Sequence, residues 1–142
     1  MASQLEVTVN STNQKLGYTG ALRSLSPIAI DYIPPLGDGQ GYLPLEMLLM
    51  SLGACSGGTV GLLLRKMGKA VASIKVNVKG TRRDQHPTSF QKIVLEFAVH
   101  SADVKDGDMQ KVIKLAEESV CPVWAMVKGN AEIEAEYKIV AS

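Results

Sequence analysis

The residues of this 142-residue chain with the richest chemistry are its two cysteines, Cys55 and Cys121. A cysteine thiolate is a nucleophile that oxidises reversibly to a sulfenic acid or a disulfide. Sixty-six positions separate the two (121 − 55), which excludes a CxxC redox motif. His86 and His100 lack ligand spacing with them, so no metal site is expected. Without further information, both cysteines could equally be small buried apolar residues.

The local sequence places the two thiols in different settings. An apolar segment from Pro44 to about Met67 predicts a long helix with Cys55 near its middle, where the thiolate would need a nearby cation. Cys121 precedes Pro122, which is typical of the first residue of a helix. Cys121 is therefore expected at a helix N-cap, where free backbone N–H groups and the helix dipole favour a thiolate.

The remaining chain predicts an α+β fold in a single domain spanning residues 1–142. Asp108 is expected to cap a helix that carries Met109, Val112, Ile113, Ala116 and Val120 on one apolar stripe. Strands are expected at Leu5–Asn10, Tyr18–Leu22, Pro27–Ile33, Ala72–Gly80, Phe90–His100 and Ala131–Val140, with a short helix at Pro122–Lys128.

Composition excludes several classes of partner. A net charge of +1 gives no excess of positive charge with which to bind nucleic acid or an anionic membrane. The uncharged segment Met47–Leu64 approaches the length of a membrane span, but its glycines and serines favour a buried core helix. The N-terminal residues carry no basic segment followed by an apolar one, so a cytoplasmic location is expected.

Three glycines form a ridge on the predicted long helix. Gly53, Gly57 and Gly61 are spaced by four and therefore share one helix face. This pattern favours tight helix–helix packing, with the same helix of a second subunit as one option. The alternative is that these small residues make room for a substrate beside Cys55.

The segment PLEMLLMSLGACSG (residues 44–57) followed by VCPV (residues 120–123) resembles the osmotically induced and organic hydroperoxide resistance proteins, the OsmC/Ohr family. The resemblance implies an intertwined homodimer with antiparallel sheets wrapped around long central helices. It also implies a thiol peroxidase acting on organic hydroperoxides without a cofactor. Cys55 would be the peroxidatic thiol and Cys121 the resolving thiol. A lipoyl-type or thioredoxin-like dithiol would reduce the resulting disulfide.

Two family positions depart from the expected pattern, which indicates a less characterised branch. The family has a catalytic glutamate directly after the proline matched by Pro44, where this chain has Leu45. Glu46 is the nearest candidate for the catalytic glutamate, although nine residues of helix place it roughly opposite Cys55. Its alternative role is that of an acid in the first helical turn, where the helix dipole favours a negative charge. Arg23 is the candidate for the family's thiolate-stabilising arginine, with a surface role as its alternative.

Other cations could replace that arginine from a partner subunit, namely Arg65, Arg82 or Arg83. The sequence therefore predicts a thiol peroxidase first. A non-catalytic redox-responsive or ligand-binding protein on the same dimeric fold is the second hypothesis. The third is a structural or interaction module with two buried cysteines.

Overall fold

The computed structural model describes residues 3–141. By internal contacts the chain divides into two units, one ending at Leu48 and the other beginning at Leu49. The prediction of a single domain stays a prediction. The elements are β1 (Thr8–Ser11), β2 (Tyr18–Ala21), β3 (Ile28–Ile30), α1 (Pro44–Lys66), β4 (Ser73–Arg82), β5 (Phe90–His100), α2 (Asp106–Leu115), α3 (Pro122–Val127) and β6 (Glu132–Val140). A π turn (Ala116–Val120) lies between α2 and α3.

The first unit holds three short antiparallel strands in the order β1–β2–β3. Thr8 pairs with Ala21, and Tyr18 pairs with both Ser11 and Ile30. β2 and β3 lie inside the predicted segments and are shorter, whereas β1 begins three residues and ends one residue later than predicted, so Leu5 falls outside it. All of β1 is exposed, so this sheet has little apolar core of its own.

A buried carboxylate organises the loop that follows β3. Asp31 is only 3% exposed and accepts backbone N–H groups from Tyr32 at 2.7 Å, Asp38 at 3.1 Å and Gln40 at 3.2 Å. Burial raises the pKa of this carboxyl, but the three N–H donors and the charge of Lys15 outweigh it and lower the pKa below its ordinary value. The ionised Asp31 therefore holds the loop closed.

The second unit is built on a mixed sheet in the order β4–β5–β6. β4 and β5 form an antiparallel hairpin, with Ser73 opposite His100. β6 pairs in parallel with β5, starting at Lys92 and Glu132. The predicted α+β class is confirmed. Helices and sheet enclose a core that includes Leu52, Val60, Leu64, Ile93, Leu95, Phe97, Val99, Met109, Val112 and Trp124.

The glycine ridge packs against a strand. A Cβ built on Gly53 would lie 2.9 Å from Cγ2 of Val78, and one on Gly57 would lie 2.8 Å from Cγ2 of Val76. The third glycine, Gly61, meets Ile74 in the same way at 3.0 Å. Four helical residues rise about 6 Å, which matches two residues of strand. The expected tight packing is therefore present, but within the chain its partner is β4 rather than another helix.

Helix α2 begins earlier than the sequence predicted. Its N-cap is Lys105, and Asp108 is the N3 residue whose carboxylate accepts the Lys105 N–H at 2.9 Å. Asp108 also pairs with Lys69 at 3.3 Å. The predicted N-cap role of Asp108 was wrong by three positions because an N3 acid satisfies the same free N–H groups from inside the first turn.

Of the helices in residues 3–141, only α1 is long and apolar enough to cross a membrane. Its Leu52, Val60 and Leu64 are almost fully buried within the protein. This burial is what the predicted core helix requires.

Candidate active site

The second unit brings the two cysteines together although 66 positions separate them in the sequence. Cys55 lies near the middle of α1 and is half-buried, whereas Cys121 is buried with 2% of its surface exposed. Both are free thiols, and Cys55 lies close enough to Cys121 to raise the pKa of the Cys121 thiol. Two thiols in contact form a site at which a disulfide can close with little movement.

Cys121 occupies the predicted N-cap of α3. Its backbone is extended (φ −79°, ψ 109°), and Pro122 is the first helical residue. Because Val123 and Trp124 are then the second and third residues, their free N–H groups act on the sulfur. The signal for these two donors was present in the sequence, in the Cys121–Pro122 pair.

The expected thiolate at Cys121 was wrong, because burial outweighs the helix terminus. Burial is the largest influence and raises the pKa of the Cys121 thiol, and the nearby Cys55 raises it further. The backbone N–H groups of Trp124 and Val123 act in the opposite direction and lower the pKa. The net pKa is above its ordinary value. Cys121 is therefore a protonated thiol at neutral pH.

The hydroxyl groups beside Cys55 bond to the helix backbone. Thr59 Oγ1 donates to the carbonyl of Cys55 at 2.9 Å, and Ser56 Oγ donates to the carbonyl of Gly53 at 3.4 Å. Such bonds back along the helix are usual for buried hydroxyls.

Arg23 and Glu46 both belong to the first unit. Arg23 lies in the turn between β2 and β3 with a left-handed backbone (φ 53°) and an exposed side chain, which has no hydrogen bond or ion pair within residues 3–141. Glu46 Oε1 accepts the N–H of Leu43 at 2.7 Å, so this first-turn acid also caps the helix. The roles of both residues toward Cys55 stay predictions.

The three alternative arginines are exposed. Arg65 donates to the carbonyl of Val71 at 3.3 Å, and Arg82 donates to the carbonyl of Thr88 at 2.7 Å across the β4–β5 loop. Arg83 follows Arg82 in the same loop. Across residues 3–141, no group of three or more His, Cys, Asp or Glu side chains could hold a metal ion.

Comparison with known proteins places this pair of thiols in a family. A family model described as OsmC-like protein matches residues 37–136, which includes both cysteines. The protein YhfA of Escherichia coli K12 is 33% identical over 99 residues, covering 70% of this chain and 74% of YhfA. The chain belongs to the OsmC family, and the resemblance found in its sequence is confirmed.

Solved structures share the fold over nearly the whole chain. A hypothetical protein from Aquifex aeolicus VF5 has a TM-score of 0.86 with 27% identity, covering 99% of both chains. The organic hydroperoxide resistance protein OhrB of Bacillus subtilis has a TM-score of 0.65 with 21% identity, covering 94% of this chain and 96% of OhrB. The similarity to OhrB establishes a shared fold.

Proposed function

We propose that this protein is a thiol peroxidase that reduces organic hydroperoxides, with Cys55 as the peroxidatic thiol and Cys121 as the resolving thiol. The observation that carries the proposal is the contact between a half-buried thiol on α1 and a buried, protonated thiol at the start of α3. Membership of the OsmC family and the fold shared with an organic hydroperoxide resistance protein support it.

The first step is attack by the Cys55 thiolate on the distal oxygen of the hydroperoxide. The O–O bond breaks, Cys55 becomes a sulfenic acid, and the alkoxide takes a proton to leave as an alcohol. Cys121 stays protonated at neutral pH, so Cys55 is the proposed nucleophile of this step.

The second step closes a disulfide. The Cys121 sulfur attacks the Cys55 sulfenic sulfur, and water leaves with the hydroxyl oxygen and one proton. An external dithiol then returns two hydrogens to the Cys55–Cys121 pair and becomes a disulfide itself. Lipoyl-type or thioredoxin-like dithiols are the proposed reductants.

Arg23 is the proposed cation for the Cys55 thiolate, and Glu46 is the acid candidate nearest to the family position. An uncommitted guanidinium on a left-handed turn is consistent with a functional arginine, since such backbone positions concentrate at active sites. Glu46 already accepts a backbone N–H, so its contribution would be added to a capping role. Arg23→Ala should lower the turnover rate more than Lys111→Ala, a control at an exposed cation of α2 with no proposed role.

We propose a cytoplasmic homodimer as the working form. Proteins of this family are typically homodimeric. In the first unit, large apolar side chains lie in solvent, including Leu5 at 94% exposure and Ile33 at 70%. Exposed apolar surface of this kind is typical of an interface. Sedimentation equilibrium should give twice the chain mass of 15.2 kDa, whereas a monomer at micromolar concentration would contradict the dimer.

Steady-state turnover tests the proposed activity. Cumene hydroperoxide and tert-butyl hydroperoxide should be consumed catalytically with dihydrolipoamide or reduced thioredoxin as the reductant. Cys55→Ser should abolish consumption, and Cys121→Ser should slow it because the sulfenic acid is no longer resolved within the chain. Consumption that Cys55→Ser leaves unchanged would refute the proposal.

Leu45 favours the second hypothesis, a non-catalytic redox-responsive or ligand-binding protein, because the family's acid is missing there. That protein would be oxidised once per pair of thiols and would not turn over with any dithiol. The same assay therefore separates the two functions.

A further inference from the structure

The chain between α2 and α3 makes a π turn that ends at Cys121. The N–H of Cys121 donates to the carbonyl of Ala116 at 3.0 Å, a span of five residues instead of the four of an α-helix. π turns of this kind are frequent at functional sites. The element is independent of the thiol chemistry, since it is made by the backbone.

The π turn changes which side chain reaches the core. Met109, Val112 and Ala116 form the buried stripe of this segment. An α-helical continuation would place Val120 next on that stripe, as the sequence predicted. In the structure Val120 is 44% exposed and Cys121 is 2% exposed, so the sequence-based placement of Val120 was wrong.

The residues after the turn hold this arrangement. Pro122 has no N–H and disfavours a helical backbone at Cys121, which is extended (ψ 109°). Lys128, directly after α3, pairs with Glu117 of the π turn at 3.5 Å. The turn is therefore fixed at Ala116 by a backbone bond, at Pro122 by sterics and at Glu117 by a partly exposed ion pair.

We propose that the π turn is a positioning element that selects Cys121 over Val120 for the place beside Cys55. One residue corresponds to about 100° of helical rotation, so an α-helical turn in the same sequence would place the Val120 side chain there and turn the thiol away. The inference rests on the proposed function in taking Cys121 as the partner of Cys55. It concerns how the thiol is placed and does not depend on the oxidant.

The test exchanges the two side chains in the double variant Val120→Cys/Cys121→Val. Diamide oxidises two thiols to a disulfide by taking up their two hydrogens, and this reaction needs no peroxidase activity. The intact mass of the protein measures the loss of the two hydrogens. Wild type should close the Cys55–Cys121 disulfide, and the exchanged variant should close at least about tenfold more slowly because its thiol is misplaced. The control Met126→Cys/Cys121→Val, with its thiol at a position 78% exposed on α3, sets the rate for an unpositioned thiol.

A second variant keeps the test decisive if the exchanged protein folds poorly. In the π turn, position 120 is partly exposed, so Val120→Asp should retain the wild-type diamide rate and a Tm close to that of wild type. An α-helical turn would bury the new carboxylate and lower the Tm strongly. Fast closure in the exchanged variant, a large loss of stability in Val120→Asp, or failure of wild type to close would each overturn the inference. Diamide closure without peroxide turnover would refute the proposed function and leave the positioning role standing.

Discussion

Replacing Gly57 with alanine should destabilise the second unit, because α1 lies as close to β4 as a glycine allows. The new Cβ would lie 2.8 Å from Cγ2 of Val76, closer than the roughly 3.5–4.0 Å at which carbon atoms pack best. Val76 is β-branched and on a strand, so its methyl group cannot rotate away without strain. The helix and the strand must therefore separate.

Two opposing effects set the magnitude for Gly57→Ala. Alanine in place of glycine within a helix gains about 1 kcal/mol. Overpacking a well-packed core typically costs about 1–3 kcal/mol. We expect a net loss of about 1 kcal/mol in the free energy of unfolding. Gly107→Ala, in α2 with no heavy atom within 4 Å of the new Cβ, should instead gain about 0.5 kcal/mol.

Urea denaturation at fixed protomer concentration, followed by far-UV circular dichroism, measures the difference. The midpoint of Gly57→Ala should fall while its m-value stays unchanged. Gly57→Ala/Val76→Ala should show a favourable coupling of about 1 kcal/mol, since the second change removes the clashing methyl group. A midpoint for Gly57→Ala equal to or above that of Gly107→Ala would refute the close packing of α1 on β4.

Two further predictions concern ionisable groups. Asp31 has a lowered pKa in the folded state, so its stabilisation is present above about pH 4, where an unfolded aspartate is ionised, and is lost as the pH falls through the folded value. Asp31→Asn should lower the Tm at pH 7 and show a shallower fall of Tm below pH 4 than wild type; parallel acid profiles would contradict this. Cys121 has a raised pKa, so its stabilisation is present below about pH 8.5 and lost as the pH rises through the folded value. Scanning calorimetry should show an alkaline fall of Tm in wild type that is smaller in Cys121→Ala, and equal slopes would exclude a buried neutral thiol.

Periodicity predicted most helices and strands because each buries one face. The helix predicted from Pro44 to about Met67 agrees with α1 to within one residue at its end. β5 has the predicted bounds, Phe90–His100. Periodicity identifies the buried face of an element but not its partner. The glycine ridge of α1 therefore predicted close packing correctly, while the strand against which Gly57 packs came only from the structure.

The candidate site was harder to predict from the residues alone. The pairing of Cys55 with Cys121 came from the family resemblance, since no periodicity links residues 66 positions apart. The π turn carries no composition signal, so an ideal helix placed Val120 where Cys121 lies. The sequence shows that Cys121 is at an N-cap, which favours a thiolate, but it does not show how deeply the thiol is buried. Burial raises the pKa of Cys121 and so reverses the ionisation expected from the N-cap alone. The loop held by Asp31 was missed for the same reason.

The mass of the intact protein after one equivalent of cumene hydroperoxide tests the central claim most directly. Wild type should lose two hydrogens as the Cys55–Cys121 disulfide forms. Cys121→Ser should gain one oxygen as a sulfenic acid, and Cys55→Ser should keep its reduced mass. Both cysteines remaining reduced in wild type under excess hydroperoxide, or oxidation of Cys55→Ser at the wild-type rate, would contradict a peroxidatic Cys55 resolved by Cys121.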